Sequence, residues 1–363
     1  VKKNKLLIII LLISSFLMIS GCKKSESVDN TKNLTISPSM TQGITETPTI
    51  THTIEESTTI EPTFNLEQHS MEAYEKFMRN EMKVSFDRFM PKDDMGEALY
   101  KKESEYTFSE VLDIVTANYF ENFTNKKIKY IDYSYIDCGK DGVNELALRF
   151  NGMDIYEEYD DSTLVYIIKY IDEKLSLCYY YETWARSDST MNEYGYYQSG
   201  GSNGASNYSN DYGLIDKDGN WQFIVSIESE LDINQLAWSD KLGQIPIVAE
   251  MKGIGDEIEL YTICFNNNEK ATNSVEVGNK ECYYTFYVYD NNMNPIKDEN
   301  LYTNSIYKEI FDEAKVPFIT PDKMLALISE KEEKVGATAE IKKGEEITWK
   351  TLDENMFSEY VGR

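Results

Sequence analysis

The chain has 363 residues, 63 acidic against 36 basic, and a formal net charge of −27. That balance excludes a nucleic-acid binder, which needs a basic footprint, and fits a protein solvated at an anionic cell surface. Only two histidines are present, His52 and His69. Neither lies well inside the region expected to fold, so histidine-based triads, dyads and zinc centres are excluded.

The first segment reads "VKKNKLLIIILLISSFLMISGCKKS". Lys2, Lys3 and Lys5 form a positive start, residues 6–19 an apolar core, and "ISGC" the end. This is the layout of a secretory signal rather than of a membrane span. Its Gly-Cys ending resembles a bacterial lipobox, which implies cleavage after residue 21 and lipidation of Cys22. Removing 1–21 takes three lysines with it and makes the chain more acidic still.

Residues 22–64 are crowded with Thr, Ser, Pro and Glu and show no hydrophobic period. Such a stretch buries too little apolar surface to offset its ordering entropy, so a disordered stalk is expected. Residues 65–363 remain for a globular region, with a subdivision near 230–240 left open.

Helical spacing of Met71, Tyr74, Phe77, Met78 and Met82 predicts a helix over 70–82. Thr107 and Glu110 form a capping box that opens a second helix, whose apolar face is Phe108, Val111, Leu112, Val115 and Tyr119. The period then falls to two. "KIKYIDYSYI", "ELALRF", "TLVYIIKY", "LSLCYYYETW", "YGLID", "WQFIVSI", "IPIVAEM", "EIELYTICF" and "CYYTFYVYD" all read as strands. Hairpins are expected at 172–174 and at "KDGN" (217–220). Helices over 305–314 and 321–331 follow, the second opened by Thr320-Pro321. Helices, a run of strands, then helices give an α+β class: a mainly antiparallel sheet with flanking N-terminal and C-terminal helices.

The loop "YIDCGKDGVNELAL" (135–148) places Asp137, Asp141, Gly142 and Glu145 at the spacing of a calcium loop. Position three of that loop is Gly139, and position twelve is Leu148, so two ligands of a full EF-hand are missing. Two readings stand: a weak calcium site built from Asp137, Asp141, the Val143 carbonyl and Glu145, or a hairpin with solvated acids. The turn is the preferred reading. A further segment, 184–212, mixes Trp184, Tyr194, Tyr196, Tyr197 and Tyr208 with Ser, Gly and Asn. That is the palette of adaptable recognition loops, and it offers a contact surface for a protein, peptide or glycan. "SIYK" (305–308) fits a Ser-x-x-Lys nucleophile pattern but has no partner motif. Cys138, Cys178, Cys264 and Cys282 are expected as buried thiols, with a 264–282 bridge possible if their strands are neighbours.

Taken together, the lipobox, the Thr-rich stalk, "YTFSEVLDIVTANYFEN", "YIDCGKDGVNELALRF", the Gly/Ser/Tyr-rich segment and "YGLIDKDGNW" resemble uncharacterised lipoproteins of low-GC Gram-positive anaerobic bacteria. The resemblance spans most of 70–225. It implies the anchor and the α+β fold, and transfers no activity. The reading is therefore a lipid-anchored extracytoplasmic lipoprotein acting as a non-catalytic binding or interaction module. A carboxylate-based surface hydrolase and a solute-binding receptor are the alternatives.

Overall fold

The computed structural model describes residues 66–92, 96–119, 127–153, 162–184, 186–202, 207–230, 257–266, 282–290, 292, 294–314 and 317–358. All belong to one compact unit, Pro62–Arg363. The expected signal segment, Cys22, the stalk, the strand "IPIVAEM" and the subdivision beyond residue 230 lie outside the described residues.

Helix α1 (Leu66–Met78) buries Ser70, Ala73, Tyr74, Phe77 and Met78, one stripe at helical spacing. It begins and ends four residues earlier than the Met/aromatic pattern suggested, and the chain turns at Asn80, whose φ is +63°. Helix α2 (Phe108–Tyr119) opens on the expected capping box. Glu110 N–H donates to Thr107 Oγ1 at 3.4 Å, and Thr107 N–H to Glu110 Oε2 at 2.7 Å. Those bonds from Thr107 hold the Glu110 carboxyl below its ordinary pKa.

The described strands form two sheets. The first has the order β13-β3-β4-β5-β6-β1-β2. Its strands are β1 (Val84–Ser85), β2 (Glu105–Tyr106), β3 (Tyr130–Ile136), β4 (Glu145–Met153), β5 (Ser162–Ile171), β6 (Lys174–Thr183) and β13 (Lys350–Thr351). Every pairing in it is antiparallel except β1 with β6. The second is antiparallel throughout, with the order β12-β11-β10-β9-β8-β7. It comprises β7 (Thr190–Met191), β8 (Tyr196–Ser202), β9 (Asn207–Ile215), β10 (Trp221–Glu230), β11 (Glu257–Cys264) and β12 (Cys282–Tyr289). The chain is therefore α+β, built on two mostly antiparallel sheets.

Strand alternation assigns the two faces of the first sheet. Leu146, Leu148 and Phe150 of β4, with Leu164, Tyr166 and Ile168 of β5, join the core under α1 and α2. Ala147, Val165 and Ile167 face the other way and meet Met191, Tyr197 and Ile215 of the second sheet. At this seam Tyr179 stacks on Trp221 with ring centroids 3.7 Å apart. The far face of the second sheet is covered by α4 (Pro321–Val335), which contributes Met324 and Ile328. Thr320 caps α4, Pro321 opens it, and Gly336 closes it with φ +83°. Helix α3 (Ile306–Ala314) sets Phe311 against Phe286 of β12, the rings stacked at 5.4 Å. A short α5 (Ala339–Lys342) follows, and Ile341 joins the α4 cluster.

Two expectations are corrected here. The segment 184–212 is not a long recognition loop: its described residues build β7, β8 and most of β9. β8–β9 pairing, from Tyr196 opposite Leu214 to Ser202 opposite Tyr208, takes up the backbone groups. The preference for free thiols also fails for one pair. β11 and β12 are neighbours in a register that sets Cys264 opposite Cys282, and the two are disulfide-bonded. Cys138 and Cys178 remain free and buried.

Candidate functional site

The β3–β4 loop (137–144) is held from four directions. Asp137 Oδ1 accepts from the N–H groups of Asp141 at 2.8 Å and Gly142 at 3.0 Å, and Asp141 Oδ1 from Val143 N–H at 2.9 Å. These are the bonds by which a short acid closes a tight turn. From α1, Glu67 accepts both the backbone and the side-chain N–H of Asn144, and Tyr74 Oη donates to the Asn144 carbonyl at 2.8 Å. Tyr74 also accepts from Tyr170 N–H at 3.0 Å, so one phenol ties the loop to β5. Burial, with the nearby Glu145 charge, pushes that phenol far above its ordinary pKa. From the β7–β8 turn, the carbonyls of Glu193 and Tyr194 accept from Asp137 and Gly139.

The fourth contact explains the glycine at 139. Its φ is +75°, and a Cβ there would lie 2.4 Å from the backbone nitrogen of Lys217 in the β9–β10 turn. A ligand-bearing side chain at this position is excluded by the neighbouring turn, not merely missing.

Glu145 turns inward. Its side chain is fully buried; Oε2 accepts from Cys138 N–H at 2.6 Å and Oε1 from the Lys169 ammonium. Lys169 is the one charged residue on the Val165/Ile167 face of β5, only 7% exposed, and its Nζ also lies 3.9 Å from Asp141 Oδ2. Burial pushes the Glu145 carboxyl up to about 7, against the pull of the ammonium and the Cys138 N–H. Burial works to lower the Lys169 ammonium, yet Glu145 and Asp141 hold it above its usual range.

An internal ammonium thus sits where the calcium reading needs a metal. Asp137 is spent on backbone N–H groups and Glu145 on Lys169, while Asp141 divides between Val143 and the ammonium. Among the described residues no group of three His, Cys, Asp or Glu side chains could hold a metal ion. The set Asp137, Asp141, Val143 and Glu145 is built as a turn.

The aromatic candidates do not converge either. Tyr197 is 6% exposed and packs at the seam, its ring 5.4 Å from that of Tyr179. Tyr196 is half-buried in the α4 cluster and its hydroxyl reaches Glu332 at 3.4 Å. Tyr194 belongs to the same cluster, with the Lys140 ammonium 4.8 Å from its ring centroid. Trp184, just past the end of β6, and Tyr208 on β9 are half-buried and lie apart in the chain order of the sheets. In "SIYK", Ser305 Oγ accepts from Lys308 N–H as the cap of α3, and the Lys308 ammonium pairs with Asp312. The nucleophile pattern is a helix start.

Beside the loop lies an open cleft of about 550 Å³. Three turns frame it: Asp141 from β3–β4, Asp172 and Glu173 from β5–β6, and Lys217 and Asp218 from β9–β10. Leu66 of α1, Tyr170 and Ile171 supply apolar wall, and Lys169 and Arg88 complete it. Arg88 Nη1 donates to the Asp218 carbonyl at 2.7 Å and to Asn220 Oδ1 at 3.3 Å. Asp216 Oδ1 closes that turn by accepting from Asp218 and Asn220 N–H. Lys169 and Arg88 escaped the sequence reading, which had Asp172, Glu173 and Lys217 only as hairpin residues. The available signal was a lysine in the otherwise apolar "TLVYIIKY" and a hairpin tip without glycine.

Comparison of the chain with models of protein families, with curated proteins and with solved structures found no match.

Proposed function

We propose that the chain is a lipid-anchored extracytoplasmic lipoprotein whose folded part is a non-catalytic binding module. The location rests on the positive start, the apolar core and "ISGC" ahead of Cys22, followed by a Thr/Ser/Pro-rich tether. The likeness to lipoproteins of low-GC Gram-positive anaerobes supports the same placement. Lipid on Cys22 supplies the anchor, since each buried CH₂ contributes about 0.8 kcal/mol. Among the described residues no helix is long and apolar enough to cross a membrane.

The observation that carries binding over catalysis is the cleft. It is an open concavity framed by three turns and within the size range of small-ligand sites. Its ionisable groups are exposed turn tips, Arg88 bonded to the β9–β10 turn, and members of the Lys169 network. The nucleophile pattern offered by the sequence, Ser305 to Lys308, serves as a helix cap elsewhere. Two carboxylates do approach each other on β10, where Glu228 and Glu230 both accept from Asn207 Nδ2 at 3.0 and 2.9 Å. They lie outside the cleft and are bridged by that amide. The shared core of two mostly antiparallel sheets favours a single module over a two-lobed receptor.

The test is detergent-phase partition of the full chain, expressed in a Gram-positive host, beside Cys22→Ala. Partition of the unaltered chain with detergent, and of the variant with water, is expected. Equal partition of the two would remove the lipid anchor and with it the assigned location.

A further inference from the structure

The cleft carries unpaired charge of both signs on separate turns. Asp172 and Glu173 form the β5–β6 tip with φ +50° and +63°. A two-residue hairpin takes those angles most readily with Asn-Gly, because side chains disfavour them. Here both positions bear carboxylates, and neither has an ion pair among the described residues. Strain of this kind concentrates at ligand sites. On the β9–β10 turn Lys217 is exposed and likewise has no ion pair. Next to it Arg88 is held through Nη1 among the described residues and lines the cleft. Leu66, 39% exposed, and Ile171 line the cleft as well.

Carboxylates on one rim, a lysine and an arginine edge on another, and apolar wall shared by both suit one ligand chemistry. We propose that the cleft binds a free amino acid or short unblocked peptide. The ammonium lies on Asp172 and Glu173, the carboxylate on Lys217 and Arg88, and the side chain against Leu66 and Ile171. Lys169 is already paired with both Asp141 and Glu145, so Lys169 and Asp141 fix the floor rather than the ligand. The inference rests on the reading of the folded part as a binding module. A neutral glycan would leave the charged rims unused.

The experiment is calorimetric titration of the full chain in detergent with trialanine, N-acetyl-trialanine, trialanine amide and maltotriose. Saturable binding of trialanine is expected, weakened about tenfold or more by blocking either terminus, since each block removes a charge-assisted bond. Lys217→Glu and the double variant Asp172→Asn/Glu173→Gln should each abolish it. These side chains are exposed, so an unchanged thermal midpoint shows that the variants fold. Equal binding of blocked and unblocked peptides, preference for maltotriose, or no saturation by trialanine at about 10 mM overturns the proposal. Failure here with the Cys22-dependent partition intact removes the ligand class and leaves the location standing.

Discussion

Replacing Lys169 with methionine takes the only cation away from a carboxylate that has no access to water. Glu145 keeps the Cys138 N–H but loses its ammonium, and Asp141 loses the same neighbour at 3.9 Å. Breaking a buried pair from one side costs about 3–5 kcal/mol. The cost depends on pH, because Glu145 can escape it by taking a proton. Its carboxyl already stands at about 7. At pH 5 it is therefore protonated in the unaltered chain, and the variant loses little. At pH 8 the unaltered chain holds an ion pair, while the variant must bury a lone charge or hold a proton against the solvent. Thermal and urea unfolding at pH 5, 6.5 and 8 would show the pattern. About 2 kcal/mol is expected at pH 8, a few degrees in a chain of this size, against about 1 kcal/mol or less at pH 5, because the proton that only the variant keeps between pH 7 and 8 is worth about 1.4 kcal/mol. Adding Glu145→Gln to Lys169→Met should recover much of the loss, since a pair replaced together leaves no orphan charge. A loss that is the same at pH 5 and pH 8, or under about 1 kcal/mol at pH 8, would refute the reasoning.

The same carboxyl gives the unaltered chain a pH signature. A group raised on folding contributes stability that is complete below its unfolded value and lost as pH rises through its folded one. A rise from the ordinary 4.5 to about 7 is worth about 3 kcal/mol. Urea titration should show that decline between pH 4.5 and 7, and Glu145→Gln should flatten it. Because an ammonium stands in for a metal in the β3–β4 loop, millimolar calcium followed by a chelator should leave the thermal midpoint where it was; a rise that Asp141→Ala abolishes would restore the calcium reading. The Cys264–Cys282 bridge spans 18 residues, so Cys264→Ser/Cys282→Ser should cost about 3 kcal/mol in urea unfolding. At the seam a Cβ on Gly213 would lie 2.1 Å from the Trp221 ring. Gly213→Ala should displace that ring, seen as a changed tryptophan emission with about 1–3 kcal/mol lost; an unchanged spectrum would contradict the stacking at Tyr179.

Much of this fold was legible because the signals were local. Thr107 with Glu110, Thr320 with Pro321, and the alternation in "ELALRF" each depend on neighbours within a few residues. The β8–β9 region was not, since "YYQSGG" and "NYSNDYG" lack the apolar alternation that marks a half-buried strand. Their pairing comes from β10 and from the seam, where Tyr197 meets Tyr179 across two sheets. The site divides the same way. Spacing identified the acids of the β3–β4 loop, but their fate was set by Lys169 on β5 and by the Lys217 backbone pressing on Gly139. Both arrive through tertiary structure. The disulfide likewise required the β11–β12 register before proximity could be argued.

The most direct measurement on the proposed role is the intact mass of the chain purified from membranes of a Gram-positive host. A mature chain that begins at Cys22 and carries the added mass of acyl chains on that residue is the expected result. A chain that keeps residues 1–21, or one that starts at Cys22 without lipid, would contradict the account.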